Sequence, residues 1–538
     1  MSRIATVVRA TAQRLRREAP ALATGALASL AAIVVMGLLR VTWGTPTPPE
    51  LLGDRILPLL NTDLFIKLLI TFQPHPKTGP LAMTLLGQFI VGVLLAPLYT
   101  RLTGAGAARA RLPTWRGWLV AAGFALTMEA LALALFWPDL AQGIYGDPPG
   151  RARLLTALAL LLGFCAYAAV LALGVPCLRL AWQTLGTRDT EATAVAASPT
   201  GGGLTRRDAL IAAGGGTLLF ALGLGALSRI FASYFAHANL AYEGHGTPAP
   251  TAAITPPGEF YVVSQNVLDP AVIGGRWQLE LTGHLTLPRT WTYDALRALP
   301  AETRAITLEC ISNQVGGNLI SNAVWKGVTL DALLAQAGGA TPEGRYVIFY
   351  GVDGYSTSLP LADLLAAHTL LAWEMNGAPL PGRHGFPLRA IVPGRYGEQS
   401  AKWITRIELA DAPYKGLYQS QGWSAAPLPT MSRIDFPGKH VAFGPLMVNG
   451  IAFGGTRGIV RVEVSTDGGA SWHDARLTPP LSAQSWVLWS WPWQPPARGT
   501  YTLVVRATDG TGAVQTPTQR GTVPDGATGW HRVKVTLQ

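Results

Sequence analysis

The residues that could do chemistry are concentrated around one cysteine in the middle of the chain. Cys310 follows a short apolar run, residues 305–308, and precedes Ser312, Asn313 and a glycine pair at 316–317. This pattern predicts a strand that delivers the thiol into a polar loop. A single thiol in such a loop could act as a nucleophile, ligate a soft metal, or fill space as a small buried residue. These residues alone leave all three possibilities open.

Four polar clusters lie between residues 260 and 403, and the cysteine loop is one of them. The longest, residues 384–403, places histidine, arginine and lysine on both sides of an apolar strand at 388–392. Such cations, together with loop amides, make a good site for a phosphate or another anion. A thiolate beside a phosphate site suits a metal carried by a pterin, with sulfur on the metal and the cations on the phosphate.

Two stretches of this segment resemble a known family. Residues 376–403, with the sequences HGFPLR and SAKW, and the stretch TLECISNQVGG followed by residues 325–328 closely resemble motifs of the sulfite oxidase family of molybdopterin enzymes, in the same order. The resemblance is strong over about 258–415 and weaker towards residue 538. It implies a mixed α/β fold and a molybdenum–molybdopterin cofactor, with Cys310 as the protein ligand to the metal.

The same resemblance implies which side chains surround the cofactor. The expected cofactor-binding residues are Ser264, Gln265, Asn266, Ser312, Asn313, Asp353, His384, Arg389, Ser400 and Lys402. Tyr355 and Tyr396 are plausible residues of the outer site and, with Cys310, are the candidate catalytic residues, although for either tyrosine ordinary packing is favoured over a catalytic role.

This chain departs from the sulfite-oxidising members where an anionic substrate would bind. Those members carry an arginine in the segment that matches 263–265 and basic residues soon after the cysteine, whereas this chain has Val263, Asn313 and Gln314. Each lost charge-assisted hydrogen bond is worth about 2–3 kcal/mol. The family also contains periplasmic reductases of neutral sulfoxides. The expected activity is therefore two-electron oxygen-atom transfer on a neutral S-oxide or related small substrate.

Two alternatives compete with this expectation. The first is sulfite oxidation, with an arginine such as Arg395 replacing the missing ones. The second is a non-catalytic, membrane-tethered assembly protein whose cofactor site has decayed. The retained Cys310, His384, Arg389 and Lys402 argue against the second alternative.

The elements that must position these residues divide the chain into several parts. After a linker rich in Gly, Pro, Thr and Ala at 236–257, short alternating strands and a few helices predict an α+β domain over 258–417. Period-two alternation and closely spaced turns predict an immunoglobulin-like β-sandwich over 418–538, which resembles the dimerisation domain of the same family. A homodimer is therefore one expected assembly.

The first 235 residues read as an all-α transmembrane bundle of about five helices. The chain is 49% hydrophobic and only 14% charged, against about 25% charged residues in a typical soluble domain. Arginines flank alternate loops, which predicts a cytoplasmic N-terminus and an outer location after about residue 233. The five apolar stretches, each long enough to cross a bilayer at about 20 residues, are 20–42, 80–99, 117–137, 153–178 and 209–232.

Three smaller features qualify this topology. Residues 55–72 are apolar but contain charged side chains, and are interpreted as an interfacial or re-entrant piece. Glu129 lies deep in the third stretch, where a water-filled gap or kink is favoured over a proton or quinone site. Residues 205–211, with Arg206 and Arg207, resemble a twin-arginine export motif, which would export a domain already folded around its cofactor.

The expected partners follow from charge and histidine placement. The first 235 residues carry most of the net charge of +11, so it belongs to loops beside membrane helices and does not indicate nucleic acid. None of the nine histidines falls inside a predicted span, so no haem is expected in this chain. The expected protein is multi-pass in the cell membrane and in contact with lipid. Its catalytic domain is periplasmic or extracellular and exchanges electrons with an external cytochrome-linked or quinone-linked donor or acceptor.

Overall fold

The computed structural model describes residues 2–56, 59, 64, 78–103, 113–141, 143, 145–186, 225, 252–264 and 269–538. The chain forms two compact units. One unit contains the N-terminal helices. The other is built mainly from Ala241–Gln538.

The N-terminal unit consists of apolar helices. Four segments are long and apolar enough to cross a membrane: Glu18–Trp43, Met83–Leu102, Trp115–Phe136 and Pro149–Leu178. They coincide with the first four predicted stretches, whereas most of 209–232, the twin-arginine-like motif and most of 55–72 lie outside the described residues. The described helices of this unit are α1 (Ser2–Trp43), α2 (Pro48–Ile56), α3 (Thr78–Leu102), α4 (Trp115–Phe136) and α5 (Pro149–Gly186).

Small side chains line the contacts between these helices. Ala28, Ala96, Ala125 and Ala168 belong to one buried cluster, which lets the helix backbones approach closely. Glu129 on α4 is 8% exposed. The bundle is thus tightly packed around its small residues.

The second unit begins with a domain of two sheets and short helices. One sheet has the strand order β2-β1-β10-β5-β6, in which only the β1–β10 pairing is parallel. The other has the order β3-β4-β7-β8, with β9 also paired to β7, and is antiparallel throughout. The strands are β1 (Gln278–Gly283), β2 (Arg289–Thr292), β3 (Glu302–Glu309), β4 (Ile320–Thr329), β5 (Tyr346–Gly351), β6 (Ser356–Pro360), β7 (Leu370–Met375), β8 (Ala378–Pro379), β9 (Arg389–Ile391) and β10 (Ile404–Ala410).

Short helices follow several of these strands, and two of them begin at threonine caps. The Thr292 side chain accepts a hydrogen bond from the Ala295 N–H, and the Thr329 side chain accepts one from Ala332. Each cap satisfies a backbone donor that the first helical turn leaves unpaired. The helices are α6 (Tyr293–Arg297), α7 (Leu330–Ala335), α8 (Leu361–Ala366) and α9 (Leu417–Ser420).

The C-terminal part of the chain is a pair of sheets around one core. The strand orders are β11-β13-β17-β16 and β12-β19-β18-β14-β15. Val448 and Trp489 from the first sheet share a buried cluster with Val462, Leu503 and Val535 from the second, so the sheets pack face to face. The strands are β11 (Met431–Phe436), β12 (His440–Val441), β13 (Leu446–Phe453), β14 (Ile459–Ser465), β15 (His473–Asp474), β16 (Arg476–Leu477), β17 (Val487–Trp493), β18 (Gly499–Asp509) and β19 (His531–Leu537).

Candidate active site

Cys310 lies directly after β3, as its apolar run predicts. Its backbone N–H donates to the Leu319 carbonyl (2.9 Å), which closes the loop that follows the strand. The Asn313 side chain accepts from the Leu319 N–H (3.0 Å) and donates to Glu309 (2.9 Å). Gly316 has a φ of +77°, a conformation that favours glycine. Asn313 therefore holds the loop in shape.

A partly open cavity lies beside the cysteine. It joins the loops of both sheets of the central domain to the segment before β1. The lining residues are Tyr261, Val262, Val263, Ser264, Cys310, Ile311, Asp353, Tyr355, Arg383, His384, Arg389, Gly397, Glu398, Ser400, Ala401, Lys402, Trp403 and Tyr418.

One part of the cavity wall is organised around Lys402. Its Nζ donates to Ser264 Oγ (2.8 Å) and to the Arg383 carbonyl (3.2 Å), and it lies 4.1 Å from the centre of the Trp403 ring. Ser264 in turn donates to Asp269 (2.6 Å). Burial raises the pKa of Asp353, and the charge of Lys402 opposes this shift. The structure thus brings the predicted Ser264, Asp353 and Lys402 together.

Arg389 provides a buried cation without a carboxylate partner. Its side chain is on β9, donates to the His384 carbonyl (3.3 Å) and lies 5.5 Å from the Trp325 ring. In the described part of the chain it forms no salt bridge, and its Nε has no hydrogen-bond partner. Burial lowers its pKa to about 10, which leaves it charged at neutral pH. A buried charge of this kind indicates an anionic ligand.

His384 stands next to this cation as a neutral ring. Its Nε2 donates to the Pro257 carbonyl (2.7 Å), and burial lowers its pKa to about 3. Since that carbonyl takes the one N–H of the neutral ring, Nδ1 can only accept a hydrogen bond, and the ring adds no second positive charge. The phosphate end of a molybdopterin fits this surrounding, because Arg389 lacks an anion that such a phosphate would supply.

The thiol of Cys310 is buried and protonated in the absence of a metal. Sγ lies 3.0 Å from Ser312 Oγ, and burial raises the pKa of Cys310 to about 11. A neutral thiol is a poor nucleophile, whereas a bound metal ion would deprotonate it. Among the described residues, no group of three or more His, Cys, Asp or Glu side chains could hold a metal ion. Cys310 thus offers the single protein thiolate that a pterin-borne metal would need.

Several predicted site residues lie elsewhere. Tyr396 does not line the cavity: its hydroxyl donates to the Asp525 carbonyl (3.2 Å), and its ring is buried with Trp423 and Trp486 where the β-sandwich meets the central domain. Ser312 touches the thiol and Asn313 is bonded within the cysteine loop, but neither predicted residue is part of the lining. Gln265 and Asn266 lie outside the described residues.

Among the lining residues that were not predicted, four have ionisable side chains: Tyr261, Arg383, Glu398 and Tyr418. Glu398 lies within the polar run at 384–403 and Arg383 directly precedes it, so a carboxylate within such a basic run was an available signal. Tyr261 lies in an apolar stretch, and nothing in its neighbours distinguishes it from a core residue.

Family models match both parts of the second unit. Residues 267–418 match the oxidoreductase molybdopterin binding domain, and residues 435–538 match the Mo-co oxidoreductase dimerisation domain. The first match covers the site around Cys310 and Arg389. The fold and the site together define a molybdopterin-dependent oxidoreductase.

Curated relatives specify this class further. The chain is 35% identical over 297 residues to mitochondrial sulfite oxidase from Homo sapiens, which covers 45% of this chain and 54% of that protein. It is 33% identical over 334 residues to sulfite oxidase from Gallus gallus, covering 51% of this chain and 72% of that protein. An uncharacterized oxidoreductase, YuiH, from Bacillus subtilis is 33% identical over 148 residues, 28% of this chain and 72% of that one.

The chain belongs to the sulfite oxidase family, which confirms the resemblance and the cofactor expected from the motifs. It spans about half the length of the first mammalian and insect relatives that it matches.

Proposed function

We propose that this protein is a membrane-anchored, extracytoplasmic reductase of neutral S-oxides. The reaction is R₂S=O plus two electrons and two protons, giving R₂S and water. The observation that carries the proposal is the cavity lining, which holds Val263, from the segment in which sulfite-oxidising members carry an arginine, and the acid Glu398. A neutral oxygen acceptor suits such a surface better than an oxyanion does.

The residues of this chain bind and orient the cofactor and the substrate. Molybdenum–molybdopterin, when bound, supplies two-electron oxygen-atom transfer. Cys310 would ligate its metal, and Arg389, His384 and Lys402 would hold its phosphate. Ser264, Gln265, Asn266, Ser312, Asp353 and Ser400 complete the proposed cofactor site, while Tyr355, held by a 2.6 Å hydrogen bond to the Glu398 carbonyl, lies on its substrate side.

The remaining parts of the chain are assigned to anchoring and assembly. Four apolar helices support contact with membrane lipid. The two packed sheets at 431–537 support an immunoglobulin-like sandwich, and the match to a dimerisation domain supports a homodimer. Electrons come from an external cytochrome-linked or quinone-linked donor.

Sulfite oxidation is the second candidate. It is favoured by the relatives named sulfite oxidase and by Arg383, a cation in the cavity lining. The other arginine considered for this role, Arg395, donates to Asp363 (2.9 Å) and to the Ala425 carbonyl, and it does not line the cavity.

Dye-linked turnover separates these candidates. Purified protein with its molybdenum quantified is assayed with a reduced viologen against a panel of S-oxides and N-oxides, and with an oxidised dye against sulfite. Turnover of S-oxides without sulfite oxidation is expected, and the reverse result would support the second candidate. Absence of molybdenum after expression in a pterin-competent host would favour the decayed, non-catalytic reading.

A substitution at Cys310 tests its assignment as the protein ligand to the metal. Cys310→Ser is expected to abolish turnover while the pterin stays bound, because the cations that hold the phosphate are untouched. Pterin fluorescence after acid release measures the second quantity. Full activity in this variant would overturn the assignment of Cys310 as the metal ligand.

A further inference from the structure

Two buried polar groups in the cavity wall have no partner. The Tyr261 hydroxyl and both carboxyl oxygens of Glu398 have no hydrogen-bond partner of good geometry within 3.5 Å in the described structure, although the Glu398 N–H and the Gln399 side chain are near enough to lower the pKa of the carboxyl. Tyr261 is 6% exposed and Glu398 is 8% exposed, and both line the cavity. Buried polar atoms are nearly always hydrogen-bonded, so orphaned groups at a cavity indicate a ligand that satisfies them.

The backbone brings these groups to the same part of the wall. A Cβ atom placed on Gly397 would lie 2.4 Å from the Tyr261 hydroxyl, so this hydroxyl packs against the residue that precedes Glu398. The Glu398 carbonyl accepts a hydrogen bond from the Tyr355 hydroxyl (2.6 Å), which fixes the segment. The tyrosine and the acid are therefore neighbours across one short stretch of backbone.

The charge of the Glu398 carboxylate acts on two other residues of the cavity lining, Tyr261 and Cys310. In its ionised form it raises the pKa of both Tyr261 and Cys310. It forms no ion pair among the described residues. Burial raises the pKa of Glu398 to about 8, and the adjacent Gln399 side chain only partly opposes the shift. A neutral carboxylic acid and a phenol each present an O–H donor.

We propose that Tyr261 and Glu398 donate hydrogen bonds to the oxygen of a neutral S-oxide and thereby select it over an oxyanion. This inference rests on the proposed function and assigns its substrate-recognising residues. An S-oxide oxygen is a strong acceptor that two neutral donors can satisfy. An oxyanion in the same place would have no charged partner of its own, because Arg389, whose charge reaches Tyr261, is assigned to the cofactor phosphate.

Binding without turnover tests the assignment. Dimethyl sulfoxide is titrated into the oxidised holoenzyme by calorimetry, where no electrons are available to reduce it. Tyr261→Phe and Glu398→Leu each remove the donor and are expected to weaken binding about tenfold, the value of one good hydrogen bond. Glu398→Gln keeps a donor of the same length and is expected to stay within about threefold of the parent. Molybdenum and pterin contents should be unchanged in all three.

Tyr350→Phe is the matched control, since it removes the hydroxyl of a tyrosine that lies outside the cavity lining, below the Arg406 guanidinium. Unchanged dimethyl sulfoxide affinity in both donor-deleted variants, at full cofactor content, would show that ordered water satisfies the two groups and would overturn the inference. Turnover is scored separately. An enzyme that binds dimethyl sulfoxide through these residues yet reduces no S-oxide would overturn the proposed function alone.

Discussion

Arg389 and Glu398 face one cavity with opposite electrostatic requirements. The buried guanidinium keeps its charge and lacks a carboxylate in the described structure, so it needs an anion. The buried carboxyl is stable as the neutral acid and needs an acceptor. One cavity thus presents a cation that suits an anionic cofactor and a neutral acid that suits the proposed neutral substrate.

Removing the arginine should affect the empty and the loaded protein in opposite directions. Arg389→Met is expected to stabilise the cofactor-free protein by about 1–3 kcal/mol, because it removes an uncompensated buried charge. The same change should lower cofactor occupancy. Thermal unfolding of protein from a host that makes no molybdopterin, and pterin content from a competent host, measure the two effects. Lys326→Met, which removes a half-exposed cation paired with Glu374, is the control. It should neither stabilise the cofactor-free protein nor lower the pterin content.

Tyr396 is predicted to contribute to stability. Tyr396→Phe removes its hydrogen bond to the Asp525 carbonyl and should cost about 1 kcal/mol of unfolding free energy. Because the hydroxyl does not reach the cavity, kcat/KM for the S-oxide should change less than twofold. A fall in kcat of a hundredfold or more, with stability unchanged, would restore the catalytic role that the sequence suggests.

At the scale of elements, the β-sandwich supports the loop that carries Cys310. Arg433 on β11 forms a buried ion pair with Asp435 and donates to the Gly317 carbonyl (2.7 Å). His531 on β19 packs against Gly316, where an added Cβ would lie 2.3 Å from Nε2. The cysteine loop is therefore clamped by residues that follow it far along the chain.

This clamp predicts a loss of stability in acid. His531 Nδ1 accepts from the Ile434 N–H (3.0 Å), and burial, with the charge of Arg433, lowers the pKa of His531 to about 4, while Asp435 opposes the shift. The folded pKa lies below the unfolded value of about 6.5, so this stability is present above pH 6.5 and is lost as the pH falls towards 4. The full effect is roughly 3 kcal/mol.

The non-titrating variant His531→Asn should flatten the dependence of melting temperature on pH between 7 and 4.5. His440→Asn, at an exposed histidine, is the matched control and should leave that dependence as in the parent. Identical pH profiles for the parent and His531→Asn would contradict the assignment.

The contrast between Tyr355 and Tyr396 shows which features of the site can be predicted from the sequence and which cannot. Both follow glycine-containing polar runs, and the sequence assigns both to the outer site. Only Tyr355 lines the cavity, since Tyr396 is covered by the segment around Asp525. Local pattern predicts that β3 delivers Cys310 and that the 384–403 run binds an anion. It cannot predict which face of a loop a later domain will cover, nor that Tyr261, in an apolar stretch, keeps its hydroxyl unpaired.

At the scale of the whole molecule, the proposed membrane anchoring makes the number of spans decide on which side of the membrane the cavity lies. With an odd number of spans and an inner N-terminus, the domains after residue 240 lie outside. A cysteine introduced at Val514, an exposed site on the β-sandwich, should react with a membrane-impermeant maleimide in intact spheroplasts. A cysteine at Trp115, exposed at the start of α4, should react only after permeabilisation. Labelling in the reverse order would indicate an even number of spans.

The clamp on the cysteine loop also bears on how the protein is made. Arg433 and His531 are synthesised long after Cys310, so a ribosome-bound chain holds an unfinished cysteine loop until β19 has emerged. Placement of the metal on Cys310 would then wait for the completed chain. Chains truncated before residue 431 are expected to retain no molybdenum, and molybdenum bound to such fragments would show that loading precedes the clamp.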